Sequence, residues 1–543
     1  MDRVERLRAA ARAWQADDPD PVTRAQIDQL LAHGDLGELE EHFGARLGFG
    51  TAGLRGPSGP GPNRMNLLQA QQVAVGVASL LVETVPDAAQ RGVVVGRDAR
   101  HGSAAFAEEA VRVLTAHGLG VHLFDEAVPT PLAVATVRQV GAAAGLVITA
   151  SHNPASDNGI KVVWSDGAQI VPPVDEGIAG AMAPMRAPPA RPAGQVRHLG
   201  GARGEHPAVR AYLDRAASLV PARPARPLRV ATTALHGVGA GLLERVLRAA
   251  GHQDLHPVES QERPDPAFPT LALPNPEEPG TLDRLLALAQ RVEAEVALAL
   301  DPDADRLAVA LPDRAGAWRV LSGDEVGVLL LWHLLARSAG TPDRLVATTV
   351  VSSRLASAMC RSQGVHFRET LTGFKWLCRP GLQHPGWHQV LLYEEALGYA
   401  VGADARDKDG ITAALVVLDL LAELAAAGRT AFDVLDDLAR RHGAHVTVAG
   451  SWPWRADLRR MPVRLAGVPI RTEERPAPDV WRAFLQDGTR VVVRPSGTEP
   501  KLKYYCEAVA PVGDDGDPEP VRRELRRRLQ GLVEELAAQV RAS

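Results

Sequence analysis

The sequence predicts a multi-domain α/β protein, and three observations support this fold class. Short apolar runs typical of strands alternate with longer amphipathic patterns typical of helices along most of the chain. With 543 residues the chain is longer than one domain usually is, so three or four domains are expected. Four of the predicted strands run directly into clusters of polar residues, which is where open α/β sheets bind ligands.

The first two segments of the chain differ in character. Residues 1–47 are polar with a helical pattern and predict an N-terminal helical arm. Residues 48–200 predict βαβ units and a parallel sheet. The predicted elements are a strand at Gly92–Gly96, a helix at Ser103–His117, a strand at Val121–Phe124, a helix at Leu132–Val140 and a strand at Gly145–Ala150. The proline-rich stretch Pro184–Pro192 predicts a linker.

Three more domains are predicted after this linker. Residues 201–310 and 311–443 predict two further α/β domains, and residues 444–543 a smaller C-terminal domain. The predicted strands are Arg229–Thr233, Val296–Leu300, Leu345–Val350, Val390–Tyr393, Arg490–Val493 and Lys503–Val509, and the predicted helices are Val238–Ala250, Thr281–Ala294 and Glu519–Arg541.

The composition excludes several classes of protein. The formal net charge is −5, from 60 Lys and Arg residues against 65 Asp and Glu residues, so a nucleic-acid-binding surface is not expected. No apolar stretch reaches the ~18 residues that a membrane helix needs. Three cysteines cannot form a disulfide framework. We therefore expect a cytoplasmic protein without membrane or nucleic-acid partners, present as a monomer or homodimer.

Lysine is rare, and its positions are informative. Only five of the 60 basic residues are lysine, and each lies in or beside one of the polar motifs described next: Lys161, Lys375, Lys408, Lys501 and Lys503. Chance retention explains any one of them. A lysine ammonium differs chemically from a guanidinium, so the coincidence of all five with the motifs indicates sites of chemistry.

The acidic run Asp301-Pro302-Asp303-Ala304-Asp305-Arg306 follows a predicted buried strand. Alternate side chains of extended backbone point the same way, so three carboxylates are expected to converge. A hard divalent cation would relieve their repulsion, and Mg²⁺ is the default ion. The alternative is a solvated acidic turn. An EF-hand is excluded because Arg306 and Pro312 stand where its glycine and bidentate glutamate belong.

A second cluster, Thr149-Ala150-Ser151-His152-Asn153-Pro154, offers a candidate nucleophile in Ser151. Alone, it suits an ordinary turn, since Ser and Asn-Pro favour turns. Lys161 lies ten residues further on and is expected in the same loop region. The sequence is not the G-x-S-x-G elbow, which argues against a hydrolase triad.

A third cluster, Gly50–Gly56, overlaps a G-x-G-x-x-G match at Gly48–Gly53. No apolar strand precedes it and three prolines follow it, so we reject a dinucleotide-binding turn. We expect a flexible loop that presents Arg55 to an anion, or simply a loop. The chain contains no G-x-x-x-x-G-K-[ST] motif, which excludes a P-loop ATPase.

The remaining clusters suit sugar-phosphate recognition. Residues 494–501, Arg-Pro-Ser-Gly-Thr-Glu-Pro-Lys, combine a guanidinium, two hydroxyls and a glycine amide, as phosphate-binding loops do, although a polar turn would look similar. The weaker candidates are Thr372-Gly373-Phe374-Lys375, Glu394-Glu395 and Asp407-Lys408-Asp409, the last of which would also cap a helix. Because the four strand ends fall in four predicted domains, we expect one shared cleft.

Together these motifs resemble those of the α-D-phosphohexomutase family of phosphoglucomutases and phosphomannomutases. The resemblance spans Gly48 to Tyr505 in motif order. It implies three related α/β domains with mixed sheets and a smaller α+β C-terminal domain around a central cleft. Many members carry Glu-x-Ser-Gly in the sugar loop, whereas Glu395-Ala396-Leu397-Gly398 has no serine. The chain is thus similar to the longer branch that includes phosphopentomutases and sugar-bisphosphate synthases.

The resemblance also implies roles for individual residues. Ser151 would be the phosphoserine, and Asp301, Asp303 and Asp305 would hold Mg²⁺ with a phosphate oxygen on Ser151. The residues expected around the transferring phosphoryl group are Arg55, His152, Lys161 and Arg306, with Lys161 as proton acceptor or donor. The residues expected to bind the substrate are Thr372, Gly373, Lys375, Glu394, Glu395, Lys408, Arg494, Ser496, Gly497, Thr498 and Lys503.

The activity implied is that of a phosphoglucomutase, which interconverts glucose 1-phosphate and glucose 6-phosphate through a phosphoserine and glucose 1,6-bisphosphate. The alternatives are a phosphomannomutase or phosphopentomutase with the same mechanism and, further off, a catalytically silent sugar-phosphate sensor. A phosphatase or mutase of the haloacid-dehalogenase type uses D-x-D followed by x-Thr or x-Val, but Asp305 stands at that position.

Overall fold

The structure is a computed structural model that describes residues 2–50, 53–185, 193–222, 228–453, 458, 461–496 and 501–542. The chain forms two compact units. One contains Met1–Val320 and Gly398–Val416, and the other contains Leu321–Leu397 and Val417–Ser543. Most of the predicted linker, residues 186–192, lies outside the described residues.

The first unit begins with three helices, α1 (Arg3–Asp17), α2 (Pro21–His33) and α3 (Leu36–Phe43). Each starts after an aspartate whose carboxylate accepts a hydrogen bond from a first-turn amide, namely Asp2, Asp20 and Asp35. Their apolar faces pack into a small core of their own, to which Leu68 of the following helix contributes. Helical capping and burial together therefore account for the predicted N-terminal arm.

A seven-stranded mixed sheet follows in the order β1-β2-β6-β5-β3-β4-β7. Its strands are β1 (Phe49–Gly50), β2 (Gly53–Pro57), β3 (Val93–Arg97), β4 (Val121–Phe124), β5 (Ala144–Ile148), β6 (Asp157–Trp164) and β7 (Val196–Gly200). The helices around it are α4 (Leu67–Thr84), α5 (Ala88–Arg91), α6 (Ser103–Ala116), α7 (Thr130–Gln139), α8 (Val174–Ala181) and α9 (Pro207–Ser218). The strands β5, β3, β4 and β7 are parallel, whereas β6 and β2 run antiparallel to their neighbours.

The second sheet of this unit has the order β12-β11-β10-β8-β9. Its elements are β8 (Val230–Thr233), α10 (Ala240–Ala249), β9 (Leu255–Pro257), α11 (Glu259–Glu262), α12 (Asp283–Arg291), β10 (Val296–Leu300), β11 (Leu307–Pro312) and β12 (Trp318–Val320). The strands β10, β8 and β9 are parallel, and β11 and β12 extend the sheet in antiparallel fashion. The central strand β10 is buried along its whole length, as its unbroken apolar sequence predicts.

The second unit contains two more groups of strands. The first group comprises α13 (Gly323–Arg337), β13 (Arg344–Thr349), α14 (Leu355–Ser362), β14 (His366–Thr370), α15 (Phe374–Leu377), α16 (Arg379–Gln383) and β15 (His388–Glu394). The strand β13 pairs in parallel with both β14 and β15, so the carboxyl ends of these strands share one edge. The chain then returns to the first unit with β16 (Gly398–Val401) and the start of α17 (Gly410–Ala426).

The C-terminal part of the second unit is an antiparallel sheet in the order β17-β22-β21-β20-β19-β18, with helices beside it. Its elements are α18 (Ala431–His442), β17 (Ala444–Trp452), β18 (Arg464–Leu465), β19 (Val468–Ala477), β20 (Val480–Leu485), β21 (Arg490–Pro495), β22 (Leu502–Ala510) and α19 (Pro518–Ala542). Leu529, Leu532 and Leu536 on α19 pack onto this sheet.

Among the described residues, no single helix has the length and hydropathy needed to cross a membrane. The bent pair formed by α17 and α18 meets those criteria only when its two helices are taken together.

Candidate active site

The candidate nucleophile lies just beyond the carboxyl end of β5. Ser151 is 1% exposed and has a φ of 52°, a left-handed conformation that is uncommon for a residue with a side chain. Its hydroxyl donates to Asp301 Oδ2 at 2.8 Å and lies 3.1 Å from His152 Nδ1. The first two predicted strand-end clusters therefore meet within the first unit.

The three aspartates converge as predicted, but by a different backbone path. Oxygens of Asp301, Asp303 and Asp305 lie within 4.8 Å of one another, and all three side chains are fully buried. The expectation of extended backbone was wrong, because β10 ends at Leu300 and the chain turns, with Ala304 at a φ of 62°. The tight turn, rather than strand alternation, brings the carboxylates together.

Lys161 reaches the aspartates from a strand. Its ammonium donates to Asp303 Oδ2 and Asp305 Oδ2, both at 2.6 Å, and the side chain is fully buried. The prediction that it lies in the nucleophile loop was wrong, because Lys161 is part of β6 and pairs with Val147 of β5. The β5–β6 hairpin thus carries Ser151 in its turn and the amine on its return strand.

A second buried lysine touches the same cluster. Lys408 Nζ lies 2.9 Å from Asp305 Oδ2. The next residue, Asp409, accepts hydrogen bonds at 3.1 Å from the amides of Ile411 and Thr412 at the start of α17. The predicted cap is therefore present, and it fixes the chain directly beside Lys408.

The pKa values of the three aspartates are shifted in different directions. Burial and the charges of Asp303 and Asp305 raise the pKa of Asp301 well above its ordinary value. Burial also acts to raise the pKa of Asp303, but its ion pair with Lys161 outweighs burial and lowers that pKa. Lys161 and Lys408 likewise overcome burial and lower the pKa of Asp305. The carboxyl that faces the Ser151 hydroxyl is therefore the least well neutralised of the three.

Three more predicted residues lie around this cluster. Burial and the nearby Arg306 and Arg55 charges hold the pKa of His152 well below its usual value, which favours a neutral imidazole. Burial also lowers the pKa of Arg55, although Asp303 and Asp305 act in the opposite direction. Arg306 donates its amide to Asp301 Oδ1 at 2.9 Å and its guanidinium to Glu277 at 3.2 Å.

Arg55 lies on a strand rather than on the flexible loop that we expected. It belongs to β2 and pairs with Gly159 of β6. Gly53 begins this strand at a φ of 88°, and a Cβ there would lie 2.3 Å from the Ile160 carbonyl oxygen. The glycine therefore permits close pairing of β2 with β6, and no helix follows it, as expected for a segment that binds no dinucleotide. Thr51, within the same motif, lies outside the described residues.

The carboxylate cluster has the chemistry of a divalent-cation site. Asp303 Oδ1 and Asp305 Oδ1 are buried, and neither has a hydrogen-bond partner among the residues that the structure describes. Buried carboxylate oxygens without a partner are costly, and oxygen-rich clusters of this kind suit Mg²⁺. The three aspartates fit the ion that the sequence predicts.

In the second unit, the other two predicted strand-end clusters also come together. The carboxylate of Glu395, just after β15, accepts hydrogen bonds from Thr349 Oγ1 at 3.0 Å and Ser352 Oγ at 3.3 Å. Burial acts to lower the pKa of Arg494, but Tyr505 and the charges of Glu395 and Glu394 raise it. The end of β21 therefore lies within electrostatic reach of the paired glutamates.

Arg494 sits among groups suited to hold a phosphate. It lies directly opposite Lys503 in the pairing of β21 with β22, which places two cations side by side. Its guanidinium donates to the Tyr505 hydroxyl at 3.2 Å, and the Ser496 amide donates to the Lys501 carbonyl at 2.8 Å. The predicted phosphate-binding residues Gly497 and Thr498 lie outside the described residues.

The motif Thr372-Gly373-Phe374-Lys375 follows β14 at the edge shared by the carboxyl ends of β13 and β15. Gly373 has a φ of 105°, a value that favours glycine, and α15 begins directly after it. Lys375 Nζ lies 5.7 Å from the centre of the Trp376 ring. The structure thus places this motif at the same sheet edge as Glu394.

Several residues that support the site were not predicted from the sequence. Thr130 donates its hydroxyl to Asp303 Oδ2 at 2.6 Å and its amide to the Asp303 carbonyl at 2.9 Å. Glu277 pairs with Arg306, and Thr349 with Glu395. Thr349 is the last residue of β13 and lies one residue before the end of the predicted strand Leu345–Val350, so its position near a strand end could have indicated it. Thr130 and Glu277 give no such signal.

Family models match the chain in four consecutive parts. They are described as phosphoglucomutase/phosphomannomutase alpha/beta/alpha domains I, II and III, over residues 46–186, 210–316 and 322–442, and the C-terminal domain of that family, over residues 455–512. Their order is the order of the motifs found in the sequence.

Two curated relatives and one solved structure agree with these matches. The chain is 34% identical to the phosphopentomutase of Mus musculus, with 98% of this chain and 94% of that protein covered. It is 38% identical to a probable phosphoribomutase of Schizosaccharomyces pombe, with 82% and 78% covered. A putative phosphomannomutase from Thermus thermophilus has a similar structure, with a TM-score of 0.70 at 25% identity, covering 90% of this chain and 99% of that one.

The chain belongs to the phosphoglucomutase/phosphomannomutase family. The predicted family and fold class are confirmed: three α/β domains with mixed sheets precede a C-terminal domain. The protein is a mutase, an isomerase that transfers phosphate within sugar phosphates. The haloacid-dehalogenase alternative is wrong. The predicted preference for glucose over other sugars is less well supported than its alternative, because the two relatives are named for pentose and ribose phosphates.

Proposed function

We propose that this mutase is a phosphopentomutase, which interconverts pentose 1-phosphate and pentose 5-phosphate. The observation that carries the mutase mechanism is the Ser151 hydroxyl, held 2.8 Å from Asp301 beside two further buried aspartates and Lys161. The pentose preference is supported by the relatives named phosphopentomutase and phosphoribomutase. The glucose phosphates expected from the sequence are the competing substrates, together with mannose phosphates, for which the similar Thermus structure is named.

In the proposed cycle, Ser151 carries a phosphoryl group and transfers it to the free hydroxyl of the pentose phosphate. The bond between phosphorus and Oγ breaks, a bond to the sugar oxygen forms, and the proton of the sugar hydroxyl passes to Oγ. The resulting pentose bisphosphate, the counterpart of the glucose 1,6-bisphosphate expected from the sequence, returns its other phosphoryl group to Ser151. Each cycle thus restores the phosphoserine and isomerises the sugar phosphate.

Catalysis would depend on positioning and charge stabilisation, as is general for phosphoryl transfer. Arg55, Arg306 and Lys161 would balance the charge that spreads over the phosphoryl oxygens. The neutral imidazole of His152, 3.1 Å from Oγ, can accept the serine proton when the phosphoryl group returns. Mg²⁺ bound by the aspartates would supply further positive charge at this point.

The residues predicted to bind the sugar and the second phosphate would hold the part of the substrate that is not reacting. Glu394 and Glu395 can accept hydrogen bonds from sugar hydroxyls, and Arg494 with Lys503 can hold the other phosphate. Thr349 donates to one oxygen of Glu395, which fixes the direction in which this carboxylate faces.

The test is a steady-state assay of the purified protein with ribose 1-phosphate, glucose 1-phosphate and mannose 1-phosphate, each with Mg²⁺ and a trace of the matching bisphosphate. We expect kcat/KM for ribose 1-phosphate to exceed the other two values by at least about tenfold. A higher kcat/KM for either hexose phosphate would contradict the pentose assignment and leave the mutase mechanism intact.

The nucleophile is tested with Ser151→Ala, and the matched control is Ser156→Ala in the same loop. We expect Ser151→Ala to lower kcat by roughly 10³-fold or more, whereas Ser156→Ala should retain activity. Mass measurement of the peptides should show an adduct of about 80 Da, a phosphoryl group, on the Ser151 peptide of the wild-type and Ser156→Ala proteins, and no such adduct on the Ser151→Ala protein. Turnover by Ser151→Ala at the wild-type rate would rule out this residue as the phosphate carrier.

A further inference from the structure

A buried guanidinium next to the Ser151 loop has no assigned role in the reaction. Arg100 is 4% exposed and lies in the segment that follows β3. Its NH2 group donates to the backbone carbonyls of Ser151 at 2.7 Å and Asn153 at 2.5 Å. Its NH1 group donates to the carbonyls of Pro154 at 2.6 Å and Asp157 at 3.0 Å. One side chain thus binds four carbonyl groups of a seven-residue loop.

The guanidinium is itself held in place. Asp98 Oδ2 lies 3.5 Å from Arg100 Nε, and Asp98 Oδ1 accepts the Arg100 amide at 2.9 Å. The Phe268 ring lies 5.0 Å from the guanidinium carbon and covers one of its faces. The Ser103 hydroxyl donates to Asp98 at 2.7 Å. With these contacts Arg100 has little freedom to move away from the loop.

The backbone amide of Ser151 is held by a neighbouring hydroxyl. Thr149 Oγ1 accepts the Ser151 amide at 2.9 Å. The amide of Ser151 is therefore bound by Thr149, and its carbonyl is bound by Arg100. These are the two backbone groups that flank the left-handed φ of 52° at Ser151.

We propose that Arg100, fixed by Asp98, is a positioning residue that holds Ser151 in its left-handed conformation so that the hydroxyl faces Asp301. A left-handed conformation is strained for a residue with a side chain and persists only where the surroundings enforce it. A planar fork can bind four carbonyls at once, whereas the lysine ammonium offers three donors from a single point. The loop would relax without the fork, and Oγ would leave the line of phosphoryl transfer.

This inference rests on the proposed role of Ser151 as phosphate carrier, and the experiment separates the two. Dephosphorylated protein is mixed with ribose 1,5-bisphosphate or, in parallel, glucose 1,6-bisphosphate, and the appearance of the phosphoryl adduct on Ser151 is followed by mass spectrometry. The transfer breaks a phosphorus–oxygen bond of the sugar ester and forms one to Oγ, and the Oγ proton passes to the sugar oxygen. If the wild-type protein gains no adduct, the proposed function fails.

The decisive variant is Arg100→Lys, and Arg112→Lys in the same domain is the control, since Arg112 is half exposed and pairs with Glu109 on the surface of α6. We expect Arg100→Lys to slow phosphorylation of Ser151 and to lower kcat by about 10- to 100-fold, with KM little changed. Arg112→Lys should behave as wild type. A folded Arg100→Lys protein that is phosphorylated at the wild-type rate would overturn the proposal.

A second variant provides the test if Arg100→Lys does not fold. Asp98→Asn keeps the shape of the side chain but removes the charge that orients Arg100, and we expect it to slow phosphorylation at least tenfold at an unchanged Tm. If Arg100→Lys fails to fold, Asp98→Asn decides the question. Loss of folding in both variants would also overturn the proposal, because the pair would then stabilise the domain rather than orient the nucleophile.

Discussion

The Ser151 hydroxyl donates a 2.8 Å hydrogen bond to Asp301 although 150 residues separate the two along the chain. Ser151 follows a strand of the first sheet, and Asp301 follows the central strand of the second sheet. Neither sheet contains the complete set of groups that phosphoryl transfer requires. Packing of the two sheets within one compact unit is therefore a precondition for the chemistry of this mutase.

Magnesium should stabilise the fold through the aspartate cluster. Because Asp303 Oδ1 and Asp305 Oδ1 lack partners among the described residues, a bound cation should raise Tm by a few degrees, corresponding to about 2.7 kcal/mol at one hundred times Kd. EDTA should reverse the shift, measured by differential scanning calorimetry. Asp303→Asn should largely lose it, whereas the exposed control Asp214→Asn should keep it. An equal shift in Asp303→Asn would place the ion elsewhere.

Asp324 should make stability depend on pH near neutrality. Burial raises the pKa of Asp324 to about 7, and the charges of Glu395 and Glu507 add to this effect. The folded protein therefore binds a proton that the unfolded chain has already lost, so wild-type stability should fall as pH rises from about 4 to above 7. The full effect is at most about 4 kcal/mol.

The variant Asp324→Asn removes this titration while its amide oxygen can still accept the Ser353 amide, which donates to Asp324 at 2.7 Å. Urea unfolding at pH 5 and pH 8 should show the variant gaining stability relative to wild type at the higher pH. The control is Asp514→Asn, at a position far in the sequence from α13, the helix that carries Asp324. Its free energy of unfolding should change with pH in parallel with that of the wild type. A constant difference between Asp324→Asn and wild type at both pH values would show that Asp324 stays ionised in the fold.

Gly53 should be intolerant of a side chain. It has a φ of 88°, and a Cβ would approach the Ile160 carbonyl oxygen to 2.3 Å, next to Lys161. We expect Gly53→Ala to lower the free energy of unfolding by about 1–3 kcal/mol and to lower kcat, because β2 and β6 must separate. Gly48→Ala is the matched control, since no atom lies within 4 Å of its Cβ position. If the unfolding curve and kcat of Gly53→Ala match those of the wild type, β2 and β6 accommodate the methyl group without loss of stability.

Much of the fold follows from local patterns. The predicted strands Val121–Phe124 and Val296–Leu300 occur with the same bounds, because short, mainly apolar runs between polar or glycine residues suit a strand in the interior of a sheet. The final helix, predicted at Glu519–Arg541, spans Pro518–Ala542. Ser151, Asp301, Glu394 and Arg494 were predicted as site residues because each directly follows a predicted strand. Ligands of open α/β sheets bind at strand ends, and this criterion requires no knowledge of the neighbouring strands.

The contacts within the site could not be predicted in this way. Whether Lys161 lies in a loop or on β6 depends on pairing with β5 and β2, and the left-handed turn at Ala304 depends on how the loop packs. Arg100 was overlooked although it follows a predicted strand, because its partners are backbone carbonyls that no sequence motif displays. Substrate preference also lay beyond the motifs, since the carboxylates of Glu394 and Glu395 can accept hydrogen bonds from the hydroxyls of any sugar.

The sequence by itself determined the reaction chemistry of this protein: a serine, three aspartates and a set of rare lysines, each at the end of a strand or beside one. Side-chain chemistry and local backbone preference are properties of a few adjacent residues, so they can be recognised without a structure. Only the tertiary structure decided which of these groups meet, in what conformation and with which protonation. Those properties arise from burial and from contacts between segments more than a hundred residues apart, as between Lys161 and Asp305.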